Sequence, residues 1–308
     1  MLKYIFRRLL MMIPVVLGVS LVVFTLLYIT PGNPAQMILG PQARQEDIQA
    51  LEEELHLNDP FIVRYGRFVM NAAQFDLGSS YSTKRQVGSE LLSRFPNTLI
   101  LTGLSLIIAL FIGIPLGIIS ATKQYSIFDN LATVFGLVGV SIPNFWLGLM
   151  LMILFALNLK WVPPSGFSTP IHWILPSITL ATGQIAMVMR MTRSSMLEVI
   201  RQDYIRTARA KGQKESIVVW RHAFRNALIP VVTAVGISFG GLLGGAILTE
   251  TVFAIPGIGS FMVDSIRSRD QPVILGGVLF LAVSFSIVNL IVDILYAYLD
   301  PRIKSQYK

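Results

Sequence analysis

The sequence has 308 residues, of which 53% are hydrophobic and only 14% are charged. Soluble globular proteins carry about 25% charged residues, so this composition favours a membrane protein. The chain contains no cysteine, which excludes disulfides, thiolate metal sites and cysteine nucleophiles. The net charge of +8 is compatible with nucleic-acid binding. However, basic residues concentrated on one side of a membrane produce the same excess, so no nucleic-acid partner is predicted.

Six apolar runs reach the length of about 20 residues that a helix needs to cross a bilayer. They are Leu9–Ile29, Thr98–Ala121, Asn130–Leu157, Trp173–Thr192, Ala227–Val252 and Val273–Leu299. The first run follows three basic residues and therefore looks like a secretory signal peptide. It is longer than a signal-peptide core, and TPGNPAQ follows it rather than a small-residue cleavage site. We therefore interpret it as a retained anchor.

The distribution of Lys and Arg orients the six predicted spans. With the N-terminus inside, 16 basic residues fall in the inside segments 1–8, 122–129, 190–226 and 300–308. The short outside segments 158–172 and 253–272 contain only 3. The long outside segment after the first span counts little toward orientation. The positive-inside rule therefore predicts a multi-pass membrane protein with both termini in the cytoplasm.

This topology divides the chain into four predicted parts. They are an N-terminal tail and first span (1–30), an extracellular helical insertion (31–97), a five-helix core (98–299) that includes a cytoplasmic loop at 190–226, and a cytoplasmic tail (300–308). Helical periodicity supports the insertion. One predicted face carries Ile48, Leu51 and Leu55, and a second carries Ile62, Tyr65, Phe68 and Val69. The dipeptide at 59–60, Asp-Pro, separates the two helices.

Two spans contain features that suit a translocation path. Pro143, in SIPNFWLG with Phe145 nearby, removes one helix hydrogen bond and kinks the third run. The kink serves either plain packing or a cavity that satisfies the freed carbonyl. In the fifth run Gly236, Gly240 and Gly244 recur every four residues. They permit either close helix packing or the sliding of a glycine-lined helix.

The outer end of the fifth run, LTETVFAIPGIG, supplies the last candidates for the path. Glu250 is either a solvated helix end or part of the outer mouth, and Phe253 lies one turn further on. The candidate path residues are thus Pro143, Phe145, Gly240, Gly244, Glu250 and Phe253.

The sequence lacks the motifs expected of an enzyme. It has no GxxxxGK[ST] phosphate loop, no HExxH and no GxSxG, and it has only three histidines. We therefore predict no catalytic residue, metal site or bound cofactor in this chain. An ATP-independent secondary transporter is the rival class, and such a protein would place charges near the bilayer midplane. No predicted span carries a charge near its centre, which disfavours that class and leaves a membrane receptor or structural protein as a weaker third option.

The cytoplasmic loop contains a basic helical stretch, DYIRTARAKG. From Met196 onward apolar residues recur every four positions through Ile200, Tyr204 and Ala208, which predicts one helical stripe. Gly212 is placed to end the helix in the left-handed conformation. The small side chains of Ala208 and Ala210 would let a partner protein approach closely. The alternative is a basic amphipathic helix lying on anionic lipid.

Several motifs, in order along nearly the whole chain, resemble one family. They are RRLLMMIPVVLGVSLVVFTLLYITPGNPA, LHLNDPFIVRYGRFV, FDLGSSY, RMTRSSMLEV, DYIRTARAKG with RHAFRNALIPVVT, ETVFAIPGIGSFMVDSIRSRDQPVI and VDILYAYLDPRI. Together they are similar to permeases of binding-protein-dependent ABC importers, in the dipeptide, oligopeptide and nickel branch. Asn33 and Phe75 depart from the branch's usual Asp and Gly. The superfamily's loop motif EAA aligns with Arg206, Thr207 and Ala208, and its glycine with Gly212; the glutamate is absent, as is usual in this branch.

The resemblance implies an all-α membrane protein with six transmembrane helices, the type I ABC importer permease fold and an extracellular helical insertion. It implies an ATPase-coupling segment made of Asp203, Tyr204, Arg206, Thr207, Ala208, Arg209, Ala210, Lys211 and Gly212. Arg206 and Arg209 become candidates for pairing with acidic residues of the ATPase. The implied partners are a second, similar permease, two cytoplasmic ATP-binding subunits that use ATP and Mg²⁺, an extracytoplasmic solute-binding protein and membrane lipid. The implied substrates are short peptides, with glutathione or nickel as alternatives.

Overall fold

The computed structural model describes Leu2–Leu299, with side chains from Ile5 to Ile294, and this range contains helices and no strand. The helices are α1 (Leu2–Ile29), α2 (Pro34–Leu39), α3 (Gln45–Glu54), α4 (Phe61–Ala73), α5 (Val87–Thr122), α6 (Ile127–Ser141), α7 (Asn144–Leu151), α8 (Pro170–Ile200), α9 (Asp203–Ala210), α10 (Glu215–Ile217), α11 (Arg225–Val252), α12 (Ile258–Arg267) and α13 (Gln271–Leu299). Two π-helical segments, Met152–Asn158 and Val218–Phe224, continue α7 and join α10 to α11. The predicted tail 300–308 lies outside the described residues.

Five helical stretches are long and apolar enough to cross a membrane. They are Ile5–Ile29, Val87–Thr122, Pro170–Ile200, Glu215–Val252 and Gln271–Ile294. The pair Ile127–Ser141 and Asn144–Asn158 makes a sixth span if it is counted as one. All six predicted runs therefore fall on helices.

The third span is broken rather than kinked. α6 and the helix that begins at Asn144 meet at an angle of 100°. Proline disfavours helical backbone in the residue before it, and Ile142 is accordingly extended, with φ −79° and ψ 124°. Pro143 then starts α7 from the N-cap position, where the missing N–H is not required. The single proline therefore separates two helices that point in different directions.

The described chain forms two compact units, one made of Asn97–Pro256 with residues 287–299, the other of Leu2–Pro96 with Gly257–Ser286. In the first unit α8 is the most deeply buried helix, and its neighbours approach it through glycines. A methyl group on Gly117 of α5 would lie 2.6 Å from Thr192 Cβ and 2.7 Å from the Met189 carbonyl oxygen. Such distances leave no room for any side chain.

α6 and α7 also approach α8 through glycines. A methyl group on Gly136 of α6 would lie 2.7 Å from Met189 Cε, and one on Gly139 would lie 3.3 Å from Thr182. On α7, Gly148 lies against Phe253 and Thr179. Small residues let helix backbones pack closely without a side chain between them, which increases van der Waals contact in an apolar environment. α8 is therefore the centre of this unit.

The glycines of α11 divide between packing and exposure. Gly236 lies against Val292 of α13 with no space for a side chain, which confirms the packing interpretation at that position. Gly240 is also buried. Gly244 is exposed and has open space beside it.

In the second unit, α4 packs on α1 through an aromatic cluster. The Phe24 ring lies 5.4 Å from those of Phe61 and Tyr65 and 6.0 Å from that of Phe68. The Tyr65 hydroxyl also donates to the Leu17 carbonyl at 3.0 Å. The prediction that Ile62 shares this face was wrong, because Phe61 occupies it and Ile62 is 79% exposed.

A glycine-to-alanine pair on α5 tests the packing of α8. Gly117→Ala should lower the free energy of unfolding by about 1–3 kcal/mol, because the added methyl overlaps a neighbouring backbone and Cβ. Gly103→Ala, where nothing lies within 4 Å, should be neutral or stabilising by up to about 1 kcal/mol. Thermal unfolding of both variants in one detergent measures the difference. Equal melting temperatures would contradict the close approach of α5 and α8.

Candidate coupling site

α9 is a separate short helix whose inward face differs from the predicted one. Gln202 has extended backbone, φ −73° and ψ 150°, which interrupts the helix after Ile200 and restarts its periodicity. Ile205 is fully buried and Ala208 is 8% exposed, whereas Tyr204 is 44% exposed. The predicted stripe through Tyr204 was therefore wrong, because a break of two residues moves Ile205 onto the buried face.

The buried face of α9 belongs to a hydrophobic cluster, which we call the coupling platform. Its buried members are Ile118, Ala121, Met196, Ile205, Ala208, Val218, Val219, Ala223 and Ala227. These residues come from the end of α5, the end of α8, α9, the second π-helical segment and the start of α11. α9 is therefore packed on the ends of three long helices rather than hanging from a loop.

Gly212 ends α9 as predicted. Its φ is +71°, in the left-handed region that favours glycine. The Gly212 N–H donates to the Arg209 carbonyl at 2.9 Å, and the Gln213 N–H donates to the Ala208 carbonyl at 3.4 Å. These are the two hydrogen bonds of a Schellman cap. No atom lies within 4 Å of the place where a side chain would begin, so the requirement for glycine is conformational rather than steric.

The two candidate arginines are in different situations. Arg209 donates twice to Glu215, from Nη2 at 2.7 Å and from Nε at 3.1 Å, and this bonding raises the pKa of the guanidinium. Arg206 lies 3.6 Å from Asp203, and both side chains are strongly exposed. Arg209 therefore braces α9 against α10, while Arg206 is the more available cation.

The remaining candidate residues of this segment face outward. The exposed positions of α9 and its cap are Asp203, Tyr204, Arg206, Thr207, Ala210, Lys211 and Gly212. Partial burial raises the pKa of the Tyr204 phenol. Ala208 is not available to a partner, because it packs inside the coupling platform; Ala210 is the small residue on the outer face.

The six candidate path residues do not come together. Pro143 and Phe145 line an open groove of about 510 Å³ between the two halves of the broken span. Glu250 and Phe253 are instead buried, at 0% and 1% exposure. The Thr98 hydroxyl donates to Glu250 at 2.6 Å. Glu250 is thus neither a solvated helix end nor part of an open mouth in the described chain.

Sequence reasoning missed a buried ion pair in the same unit. The Asp129 carboxylate at the start of α6 accepts from Arg193 of α8 through both oxygens, at 2.8 Å each. In the sequence both residues look like no more than flanking charges of predicted spans. Their shared position on the predicted cytoplasmic side is the one available signal. Among the described residues, no three His, Asp or Glu side chains converge as metal ligands would.

Comparisons with known proteins identify the family of this chain. Residues 113–305 match the family described as binding-protein-dependent transport system inner membrane component, and residues 1–102 match the N-terminal region of such membrane components. The chain belongs to this family. It is 47% identical to the dipeptide transport system permease protein DppB of Alkalihalophilus pseudofirmus, across 99% of this chain and 100% of that protein. It is 43% identical to the oligopeptide transport system permease protein AppB of Bacillus subtilis (99% and 100% covered) and to the glutathione transport system permease protein GsiC of Salmonella paratyphi A (99% of each).

Solved structures agree on the fold. The inward-facing MetNI methionine ABC transporter matches with a TM-score of 0.57 at 21% identity, over 68% of this chain and 96% of that one. An amino acid ABC transporter crystallised with histidines matches with a TM-score of 0.52 at 15% identity, over 70% and 94%. The predicted type I permease fold is therefore confirmed. The protein is a multi-pass inner-membrane permease subunit of an ABC importer, and ATP hydrolysis belongs to separate subunits.

A pair of alanine substitutions tests the register of α9. Ala208→Glu should destabilise the chain by about 3 kcal/mol or more, because it places an unpaired carboxylate in the coupling platform. Ala210→Glu should change stability by less than about 0.5 kcal/mol, because that side chain points outward. Thermal unfolding of the two variants decides the register. A stable Ala208→Glu protein would contradict the buried position.

Proposed function

We propose that α9 is the coupling helix of this permease and docks on a cytoplasmic ATPase subunit. The observation that carries the proposal is the combination of a packed inner face and a small-residue outer face on one short helix. Its inner face is fixed by Ile205 and Ala208 in the coupling platform. Displacement of α9 by the ATPase would then move the ends of the long helices with it.

The outer face suits a protein partner better than lipid. Asp203, Thr207 and Ala210 lie on one helical stripe and are all exposed. A helix that lies on a membrane needs large apolar side chains on its free face. Ile205, the large aliphatic residue of α9, points into the chain's own core, which leaves Tyr204 as the outward apolar group. The lipid alternative is therefore disfavoured.

The charges around α9 refine the predicted contacts. The exposed ion pair between Arg209 and Glu215 contributes at most about 1 kcal/mol, but its bidentate geometry orients the end of the helix. We infer that it braces the helix within the chain. Arg206 and Lys211 are then the cations placed to meet acidic residues of the ATPase.

An exposed face of α11 supports pairing with a second, similar permease. Gly241, Gly244 and Gly245 have no neighbouring atom within 4 Å of the place where a side chain would begin. Ile237 and Leu248 on the same helix are 61% and 57% exposed. A glycine-rich apolar helix face is the kind of surface that packs against another helix in a membrane. The assembly we propose adds two ATP-binding subunits that use ATP and Mg²⁺ and an extracytoplasmic solute-binding protein.

The proposed orientation places α9 and both termini in the cytoplasm and the insertion 31–97 outside, as the excess of basic residues indicates. We propose short peptides as the substrate, because the relatives are named for dipeptide, oligopeptide and glutathione transport. The groove at Pro143 and Phe145 is the candidate part of the path that this chain contributes.

A substitution on the outer face of α9 tests the docking role. Ala210→Glu should reduce recovery of the ATPase subunits about tenfold or more in a pull-down from native membranes, because a longer, charged side chain replaces a methyl at the contact. Ala210→Ser, which keeps the small size, should recover them as wild type does. Equal recovery with Ala210→Glu would place the ATPase contact elsewhere.

A further inference from the structure

Asp129 is the centre of a buried polar cluster that joins three helices. Asp129 is only 3% exposed. Its carboxylate accepts from Arg193 Nε and Nη2 at 2.8 Å each, from the Tyr125 backbone N–H at 3.0 Å, and from the Ser120 hydroxyl. Arg193 Nε also reaches Ser120 Oγ at 3.0 Å. The cluster thus ties the end of α5, the start of α6 and the last third of α8 together.

This cluster is contiguous with the coupling platform. Ser120 lies between Ile118 and Ala121, two platform residues on α5. Arg193 lies one helical turn before Met196, the platform residue on α8 that shares the cluster with Ile205. On its other side, Asp129 is in the first turn of α6, which leads to the break at Pro143. The ion pair therefore links the support of α9 to the first half of the broken span.

The contact chemistry distinguishes this link from the other contacts between α6 and α8. Gly136 and Gly139 meet Met189 and Thr182 by van der Waals contact, which resists separation but permits sliding and rotation. A bidentate arginine–carboxylate pair fixes direction as well as distance. Because the carboxylate is buried, breaking the pair leaves a charge without compensation, so the pair resists opening.

We propose that Arg193 and Asp129 are positioning residues that make α6 move as one body with α8 and α9 during the transport cycle. This inference rests on the proposed coupling role of α9. The ion pair passes a displacement of the coupling helix to α6 and so to the groove at the break. Without it, α9 and α8 would still respond to the ATPase, but α6 would follow them poorly.

The test uses the complete transporter, with its partner subunits and binding protein, in proteoliposomes. The variant is Arg193→Met, with Arg193→Lys as a conservative variant that keeps the charge. Arg94→Met is the control for the loss of an ion pair that does not join two helices: Arg94 and Glu90 both lie on the first turns of α5, with 29% and 10% side-chain exposure against 28% and 4% for Arg193 and Asp129, and Glu90 keeps Arg85 as a second partner. The readouts are the uptake of labelled dialanine per ATP hydrolysed and a distance between two spin labels.

The uptake ratio gives the first outcome. In Arg193→Met the uptake per ATP hydrolysed should fall at least about fivefold while ATP hydrolysis continues. The reason is that movement of α9 would no longer be coupled to movement of α6 and the groove. Arg193→Lys should recover part of the uptake per ATP hydrolysed. Arg94→Met should retain the wild-type ratio, even if it lowers the melting temperature as Arg193→Met does. A wild-type ratio in Arg193→Met would overturn the proposal.

The label distance gives a second outcome that does not require transport. The chain has no native cysteine, so Gln202→Cys, directly before α9 and outside the proposed ATPase contact, and Val134→Cys on α6, both exposed, provide the two thiols to be labelled. The distance between the labels should be narrow and unchanged by ATP in the otherwise wild-type chain, and broad or ATP-dependent after Arg193→Met. A narrow, unchanged distance in Arg193→Met would overturn the ion-pair link. If the wild-type complex does not take up dialanine, that result counts against the proposed substrate. The distance test remains valid in that case.

Discussion

The close approach of neighbouring helices to α8 is the constraint on which the rest of this permease depends. Glycines at 117, 136 and 148 bring α5, α6 and α7 close to it, and at Gly117 the neighbouring backbone leaves no space for a larger residue. In a membrane, apolar burial gives little drive for helix association, so packing and polar links must supply the specificity. Here the glycines supply the packing, and the Arg193–Asp129 pair supplies the polar link.

This arrangement supports the proposed role of α9 as the coupling helix. α9 is too short to be stable alone, and its packing on the ends of α5, α8 and α11 fixes its orientation. The Schellman cap at Gly212 ends it sharply, so its outer face is a defined surface rather than a frayed segment. The break at Pro143, in turn, gives the third span two halves with different directions. In the proposed mechanism, α9 has a fixed orientation on the long helices, and the break lets the two halves of the third span change direction separately.

The spans, the stop at Gly212 and the two helices of the insertion could all be predicted, because hydropathy, glycine conformation and helical periodicity are local properties. The register of α9 could not, since the extended backbone at Gln202 resets a periodicity that looks continuous in the sequence. Burial of Glu250 and Phe253 was missed because their partners are distant along the chain, such as Thr98 for Glu250. The Arg193–Asp129 pair was missed for the same reason, since 64 positions separate the two residues along the chain.

Site-specific cross-linking from the outer face of α9 tests the central claim most directly. Thr207→Cys in this cysteine-free chain, carrying a short photoactivatable group, should cross-link to an ATPase subunit in native membranes. The same group at Ile237→Cys, on the exposed face of α11, should capture a second permease instead. Capture of the ATPase from position 207 but not from 237 is the result expected of a coupling helix. Lipid or solvent adducts alone from position 207, in membranes where the transporter is assembled, would contradict it.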